Sequence, residues 1–153
     1  MQQKIVPNVW FNGNALEAVE YYMSVFPDGK MVTTTYYPNT AGEGLAEFQF
    51  AMAGKPLTVE FEVLGMYFVA INAGPEFTLS EAVSFAIECE TQDEIEYYWK
   101  QLSAHPEAEQ CGWCKDKFGL SWQIVPRNMN ELMKRPGAYV KMMNMKKIVI
   151  DEF

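Results

Sequence analysis

The stretch CGWCKDKFGLSWQIVP, residues 111–126, indicates more about the fold than any other part of the chain. It combines two tryptophans, a Lys-Asp-Lys turn and a glycine with a final run in which apolar and polar residues alternate. Alternation with a period of two is typical of a half-buried strand. The stretch therefore predicts a hairpin that leads into a closing strand, with one polar side chain, Gln123, in the middle of that strand.

A repeat places this hairpin in a larger pattern. The sequence VEYY at residues 19–22 recurs as IEYY at residues 95–98, and each copy lies in a helical pattern that follows an alternating strand. The apolar residues of the two preceding strands correspond, so we expect both strands to pack one face under their helix. Capping boxes are predicted at the two helix starts, by Asn14 with Glu17 and by Thr91 with Glu94.

Further predicted strands complete each half of the chain. In the first half they lie at residues 5–11, 30–37, 57–64 and 66–72, and in the second half at 83–89, 108–113, 115–118 and 120–125. Residues 45–53 are ambiguous between strand and helix, and we place them as extended. The unit strand-helix-strand-strand-strand therefore occurs twice, which predicts an α+β fold of two βαβββ modules. We expect a single domain over residues 1–153, with modules at 1–75 and 80–127 and a helical tail at 128–153. The tail is predicted as a short helix to Lys134, a break at 136–137 and a Met-rich helix at 138–145.

Composition limits the classes of partner. The 153 residues are 49% hydrophobic and carry a formal net charge of −8. An acidic surface repels phosphate backbones and anionic lipids, so we expect neither a nucleic acid nor a membrane as partner. There is no apolar run near the roughly 20 residues that span a bilayer. The N-terminal residues lack the pattern of a signal peptide, which predicts a cytoplasmic protein.

The three cysteines fit the same expectation. An odd number without a secretion signal argues against a disulfide framework. The spacing of Cys111 and Cys114 is C-x-x-C, but the flanking residues predict strand and turn rather than a helix N-terminus that would activate a thiol. A four-ligand zinc site needs two more Cys or His at suitable spacing, and the chain has one histidine, His105. We interpret the cysteines as structural.

The duplicated unit resembles the vicinal oxygen chelate superfamily, which includes glyoxalase I and bleomycin-resistance proteins. Within it the chain resembles the 3-demethylubiquinone 3-methyltransferase, or PhnB-like, family. The segments that carry the resemblance are residues 10–27, 54–77, 84–103, 111–126 and 141–150.

The resemblance implies that each half curls into an open cup with its helices on the convex side. The less apolar strand faces then line the inside, as a small-molecule site requires. The residues expected inside are Asn8, Trp10, Thr58, Glu60, Phe68, Ala70, Asn72, Ser84, Ala86, Ser121 and Gln123. From these and Trp113 we predict a ligand-binding set of Asn8, Trp10, Phe68, Asn72, Ser84, Trp113, Ser121 and Gln123. The alternative is that the same residues line a filled core.

The resemblance also bears on cofactors. Metal-using members of the superfamily hold a divalent ion with His and Glu from the inner faces, one carboxylate coming from the last strand, where this chain has Gln123. Asn8, Asn72 and Ser84 likewise offer neither imidazole nor carboxylate, and neutral groups bind Zn or Ni weakly. No Gly-rich turn typical of nucleotide-type cofactors is found, since Gly42 and Gly44 lie in a polar loop. We therefore expect no metal and no other cofactor.

Three functional hypotheses remain open at this stage. The first is a metal-independent small-ligand protein, an enzyme if Glu60 acts as a general base. The second is a non-catalytic protein that sequesters a ligand, as in the drug-resistance branch, and the third is metal-dependent isomerase or dioxygenase chemistry. Trp10 and Trp113 either stack on a planar ligand or pack in the structure. The Met142, Met143 and Met145 stripe serves either tail docking or a dimer interface, and the resemblance implies a homodimer.

Overall fold

The computed structural model describes residues 3–153, and the chain divides into two compact units. The first unit ends at Thr78 and the second comprises Leu79–Phe153. Each unit contains one copy of the repeat. Within the described residues, no helix is both long and apolar enough to cross a membrane.

The first unit is a four-stranded sheet with one helix against it. Its elements are β1 (Asn8–Asn12), α1 (Ala15–Val25), β2 (Lys30–Tyr36), β3 (Pro56–Val63) and β4 (Met66–Ala73). The sheet order is β1-β4-β3-β2, with β1 parallel to β4 and the other pairs antiparallel. The helix packs on an apolar face, where the rings of Tyr22 and Phe61 stack at 5.9 Å and those of Phe61 and Phe68 at 5.3 Å. The α+β prediction and the apolar faces under the helix are confirmed here.

The segment between β2 and β3 differs from the prediction. Residues 45–53 were expected to be extended, but the structure has 3-10 helices at Ala41–Glu43 and Glu47–Met52. The Glu43 carboxylate accepts the backbone N–H groups of Asn39 and Thr40 at 3.0 Å, which starts a helical turn. Phe48 is 80% exposed. The alternation of apolar residues here therefore does not report a buried strand face.

The second unit has one strand fewer than the prediction. Its elements are β5 (Ser84–Cys89), α2 (Gln92–Leu102), β6 (Trp113–Lys115) and β7 (Ser121–Pro126), with sheet order β5-β7-β6. A strand at 108–113 does not form; a 3-10 helix occupies Pro106–Ala108, and only an isolated bridge joins Gln110 to Trp113. The backbone N–H groups of Cys111 and Gly112 instead donate to Met145 and Lys146, at 2.8 and 2.7 Å. The C-terminal tail thus takes the hydrogen bonds that a further strand would use.

The tail contains the two predicted helices, α3 (Met129–Leu132) and α4 (Ala138–Met143). Beyond them, Met145 and Ile148 are buried. The side chain of Gln92, in the first turn of α2, holds the segment at two points. It donates to the Ile148 carbonyl at 3.0 Å and accepts the Ile150 N–H at 2.9 Å. For Met145, tail docking is therefore the correct alternative.

The two helices begin with different contacts. The predicted cap at Asn14 is wrong, because Asn14 makes no side-chain capping bond and the N–H of Ala15 donates to Asn72 Oδ1 of β4 at 3.1 Å. The cap at Thr91 is confirmed, since Thr91 Oγ1 accepts the Glu94 N–H at 3.2 Å. The Glu94 carboxylate reaches one residue further back than predicted and accepts the N–H of Glu90.

Candidate functional site

The face of the second sheet that lies away from α2 gathers four of the predicted ligand-binding residues. Register pairs Ser84 with Ser121, and Ala86 with Gln123, while Trp113 lies opposite Gln123. Partners in register project to the same side of a sheet. We call this the second distal face, and its residues are Ser84, Ala86, Trp113, Lys115, Ser121 and Gln123. The opposite side carries the apolar residues that pack beneath α2, including Ile87, Cys89 and Ile124.

A hydrogen bond joins two polar groups at the centre of this face. Gln123 Nε2 donates to Ser84 Oγ at 2.9 Å. The bond orients the amide, so Gln123 Oε1 and the second Nε2 hydrogen remain available, as does the hydroxyl hydrogen of Ser84. Two neutral groups on neighbouring strands thus present both donors and acceptors from fixed positions.

Ser121 occupies an unusual environment on the same face. It is 1% exposed, and among the described residues its hydroxyl oxygen has no hydrogen-bond partner. Its neighbours in register are Ser84 on one side and Lys115 on the other. Lys115 Nζ forms an ion pair with Glu81, in the segment that precedes β5. This ion pair holds the pKa of the Glu81 carboxyl below its ordinary value.

A buried carboxylate fixes the hairpin that delivers β7. Asp116 is fully buried, and Oδ1 accepts the N–H groups of Phe118 and Leu120 at 2.9 and 3.1 Å. Oδ2 accepts Nε1–H of Trp122 at 2.9 Å. The Lys-Asp-Lys turn is therefore organised around an internal anion, and this anchors the first residues of β7 next to β6.

The first sheet has an equivalent distal face, which carries Asn8, Trp10, Thr58, Glu60, Tyr67 and Val69. Glu60 lies opposite Thr33 of β2 and Val69 of β4. Its Oε2 accepts a hydrogen bond from the phenol of Tyr67. The backbone of Tyr67 is held by the side chain of Gln3, which accepts the Tyr67 N–H at 2.9 Å and donates to its carbonyl at 3.0 Å. A half-buried carboxylate–phenol pair therefore joins β3 to β4, and the Gln3 side chain fixes the backbone on its β4 side.

Trp10 and Asn8 lie on the same distal face but make internal contacts. Trp10 Nε1 donates to the Gly74 carbonyl at 2.9 Å, and its ring meets Phe77 edge-on at 4.7 Å. Asn8 Nδ2 donates to the Val6 carbonyl at 3.0 Å. For Trp10 these contacts support the packing alternative over ligand stacking.

The predicted positions of Phe68, Ala70 and Asn72 are wrong. These residues align with Val9 and Phe11 of β1 and lie on the face that α1 covers, where all three are buried. Asn72 is occupied on both sides of its amide, since Oδ1 accepts the Ala15 N–H and Nδ2 donates to the Pro56 carbonyl at 2.8 Å. It serves the helix start, and Phe68 serves the core.

The donor set of the two distal faces does not fit a transition metal. On the second face, Gln123 and Ser84 are an amide and a hydroxyl that already bond each other, and Lys115 is a cation. Within residues 3–153 no three His, Cys, Asp or Glu side chains are grouped as a metal site requires. Amide and hydroxyl oxygens are weak ligands for Zn or Ni. The groups on the second distal face can therefore donate and accept hydrogen bonds.

The cysteines are free thiols in unreactive surroundings. Burial raises the pKa of Cys89 to about 12, with a smaller contribution from Glu94. Burial, followed by Asp116 and Glu109, raises the pKa of Cys114 to about 12 as well. The pKa of Cys111 is also raised by burial. A raised pKa keeps a thiol protonated, which agrees with a structural role.

Sequence reasoning missed three residues that shape the two faces. Tyr67 follows the turn at Gly65, and its residue type predicts only that it lies in a strand. Its bond to Glu60 depends on the register of β3 and β4, which the sequence does not specify. Lys115 and Asp116 lie in the quoted hairpin, where alternating charges predict a solvated turn. The available signal was Asp116 followed by Lys-Phe-Gly, because an Asp side chain that accepts the N–H two residues on is a turn motif.

The chain matches a protein-family model. The model described as 3-demethylubiquinone-9 3-methyltransferase matches residues 3–125. The match covers both repeats and the hairpin, and it ends before α3. No curated protein matches the sequence.

Solved structures give a consistent result. The chain is 28% identical to a Bacillus cereus protein described as a 3-demethylubiquinone-9 3-methyltransferase, PhnB protein, with a TM-score of 0.62 over 80% of this chain and 99% of the other. It is 19% identical to protein PA1353 from Pseudomonas aeruginosa, with a TM-score of 0.56 over 82% and 98%. The fosfomycin resistance protein FosX from Listeria monocytogenes is 11% identical, with a TM-score of 0.54 over 88% and 99%. The fold is that of the glyoxalase/bleomycin-resistance superfamily.

Proposed function

The chain belongs to the 3-demethylubiquinone-9 3-methyltransferase family, and from this premise we propose that it binds a small molecule on the second distal face without a catalytic metal. The observation that carries the proposal is the bond from Gln123 Nε2 to Ser84 Oγ. This pair orients donors and acceptors on adjacent strands, and half-buried Trp113 lies opposite Gln123. Convergent polar groups beside an aromatic side chain are typical of ligand sites.

The neutral donor set supports binding without a metal. A metal-dependent lyase or dioxygenase needs a first shell of imidazole or carboxylate, and the second distal face provides an amide and two hydroxyls. Metal analysis of the purified protein tests this part of the proposal. Stoichiometric Zn, Ni or Fe that resists dialysis against a weak chelator would contradict it.

Methyl transfer, which the family's description suggests, has little support in this chain. The turn between β1 and α1 contains a single glycine, Gly13, and Gly42 lies within a 3-10 helix. A cofactor phosphate or carboxylate bound at a strand–helix turn usually needs several glycines for close approach.

A second candidate function is acid–base catalysis on the first distal face. The specific observation is the contact between Glu60 and the Tyr67 phenol. A carboxylate that can take a proton, next to a phenol that can return one, is sufficient for proton transfer at a bound substrate. The alternative to both is a sequestering protein, which holds its ligand unchanged.

A ligand screen with matched variants separates these possibilities. Binding from a metabolite library is measured by thermal shift, and each hit is followed by NMR for conversion to product. Gln123→Ala should weaken binding about tenfold by removing one well-placed polar contact. Gln49→Ala, an amide outside both distal faces, should leave affinity unchanged.

The Glu60→Gln variant then distinguishes catalysis from sequestration. Turnover that disappears in Glu60→Gln but persists in Glu62→Gln supports an enzyme, because Glu62 lies on the same face and pairs with Lys30 at 2.7 Å. Recovery of unchanged ligand from a tight complex supports sequestration. A ligand whose affinity is insensitive to Gln123→Ala would contradict the proposed site.

We also propose that the protein is a cytoplasmic homodimer. Free cysteines support a reducing compartment. Self-association is supported by the edge strand β2, whose Met31, Val32 and Tyr36 are 40%, 48% and 61% exposed. Apolar side chains on an unpaired edge favour contact with another chain. Light scattering that gives a monomer mass at micromolar concentration would contradict the dimer.

A further inference from the structure

Three hydrogen-bond donors form one row across the second sheet. Lys115, Ser121 and Ser84 are partners in register on β6, β7 and β5. Adjacent strands lie about 4.8 Å apart, so the three side chains follow one another across the distal face at that spacing. Ser84 accepts from Gln123 and keeps its own hydrogen, while Lys115 carries the positive charge of the row.

The hydroxyl of Ser121 lies in the middle of this row and has no hydrogen-bond partner in the described part of the chain. A hydroxyl that is buried and unbonded costs free energy, and proteins usually avoid that arrangement unless another group completes it. Ser121 is 1% exposed. Ser121 therefore offers an unused hydrogen-bonding group at the start of β7 within the described residues.

Glu81 shows what kind of group fits beside Lys115. Its carboxylate pairs with Lys115 Nζ, and the pair joins the end of β6 to the segment before β5, across the start of β7. The Glu81 side chain is 55% exposed. An exposed ion pair is weak, so a competing carboxylate can displace it. No hydrogen bond joins Glu81 to Ser121, and the internal carboxylate therefore satisfies only one donor of the row.

We propose that the row Lys115–Ser121–Ser84 is a binding site for the carboxylate of a small hydroxy acid, and that Glu81 occupies it when no ligand is bound. A ligand carboxylate would take the place of Glu81 on Lys115 and accept from Ser121. A neighbouring hydroxyl of the ligand would meet Ser84 and Gln123 Oε1. The inference rests on the proposed function, since it assigns a substrate class to the same face.

One cation in the row favours a singly charged ligand. A phosphonate dianion would leave one negative charge uncompensated on a protein whose net charge is −8. A neutral amide would accept a hydrogen bond from Lys115 but would lack the charge that strengthens it. The site therefore discriminates by charge as well as by hydrogen bonding.

The test is an NMR titration of the ¹⁵N-labelled full chain with three probes: glycolate, its neutral isostere glycolamide, and methylphosphonate. Glycolate should shift the amide signals of Lys115 and Ser121, and the other two should bind at least about tenfold more weakly, as the loss of one charged hydrogen bond predicts. Equal affinity for glycolate and glycolamide would overturn the inference.

Variants identify the groups involved. Lys115→Met should weaken glycolate binding at least about tenfold, whereas Lys117→Met, on the same turn, should not. Glu81→Gln should strengthen binding about fivefold, because the internal competitor is removed. An unchanged affinity in Glu81→Gln would contradict displacement. If Lys115→Met does not fold, Lys115→Arg, which keeps the charge, must retain discrimination between glycolate and glycolamide.

Ser121→Ala separates a binding role from a structural one. Because the Ser121 hydroxyl has no partner within residues 3–153, its removal should not lower the melting temperature, while glycolate affinity falls about fivefold. A large loss of stability with unchanged affinity would overturn the assignment. If glycolate fails but a library compound shifts Ser84 and Gln123, the carboxylate inference fails and the proposed function stands. If no compound shifts this face, both fail.

Discussion

The helices α1 and α2 contain the same Tyr-Tyr repeat, yet the backbone N–H groups of their first turns are bonded by acceptors from different parts of the chain. In α2, the cap is local: Thr91, the residue before the helix, accepts the N–H of Glu94. In α1, the residue before the helix makes no such bond, and Asn72 of β4 accepts the N–H of Ala15 from a distance of 57 residues in the chain. The first helix therefore depends on its sheet for an N-terminal contact that the second obtains from its own sequence.

The contrast extends to the strands. In the first unit, the buried side chain that accepts a backbone N–H, Asn72, comes from a central strand; in the second, such a side chain, Asp116, comes from a hairpin turn. A repeat in sequence thus specifies which elements form and which faces are apolar. The groups that accept the buried N–H donors lie outside residues 19–22 and 95–98, and they differ between the two units.

The largest expected effect tests the hairpin of the second unit. Asp116→Ala leaves the N–H groups of Phe118, Leu120 and Trp122 without their acceptor, and should lower the free energy of unfolding by about 3 to 5 kcal/mol. Urea denaturation measures the change. The control is Asp28→Ala, an exposed turn aspartate of the first unit, which should stay within about 0.5 kcal/mol. Equal effects would mean that Asp116 does not organise the hairpin.

Asn72→Ala tests the corresponding residue of the first unit. The substitution removes the acceptor for Ala15 and the donor to Pro56 from a buried site, so a loss of about 2 kcal/mol is expected. Hydrogen exchange should show faster opening of the first turn of α1 and no change in α2. If α2 responded equally, the proposed independence of the two helix starts would be wrong.

Alkaline pH should destabilise the second unit through its thiols, because all three cysteines lie there. The folded pKa of Cys89 and of Cys114 is about 12, above the ordinary value near 8.5. The unfolded state therefore loses these protons first, and stability falls as pH rises from about 9 towards 12. The slope is about 1.4 kcal/mol per pH unit for each thiol.

Denaturation at pH 8 and pH 10 measures this effect. Cys114→Ala should flatten the pH dependence, although the substitution itself costs packing. A slope that persists in a variant lacking both Cys89 and Cys114 would show that other groups cause it.

The smallest effect compares the two helix caps directly. Thr91→Ala should cost about 1 kcal/mol, as the loss of a capping side chain usually does. Asn14→Ala should cost less than about 0.5 kcal/mol, because Asn14 makes no capping bond. The difference between the two free energies of unfolding is the measurement. A reversed order would mean that α1 uses the local cap in solution.

Much of this architecture could be predicted from sequence. The spacing of apolar residues indicates which faces are buried, and Gly and Pro indicate where elements end. The repeat, both helices, the paired faces of β1 and β5, and the common face of Ser84, Ser121 and Gln123 follow from the sequence pattern. The ligand-binding role of those residues stays a prediction, as do Glu60 as general base and the single domain.

The failures have physical causes. β4 is apolar on both faces, with Tyr67, Val69 and Ile71 on one side and Phe68 and Ala70 on the other, so alternation cannot choose its phase. Asn72 then suggested the wrong side, because a buried polar residue with two partners looks in sequence like a site residue. The strand at 108–113 failed because its N–H groups bind the tail, a contact between distant parts of the chain.

The amide clamp of Gln92 has a mechanical consequence. Residues 145–150 are attached in succession by the N–H groups of Cys111 and Gly112, by the Lys147–Glu96 ion pair and by the two bonds of Gln92. A force applied beyond residue 150 would load the Gln92–Ile150 hydrogen bond first. The remaining contacts of the tail would then break one after another towards residue 145. The strands of the second sheet would carry load only after the tail had detached. The tail therefore delays the transfer of force from this end of the chain to the sheet.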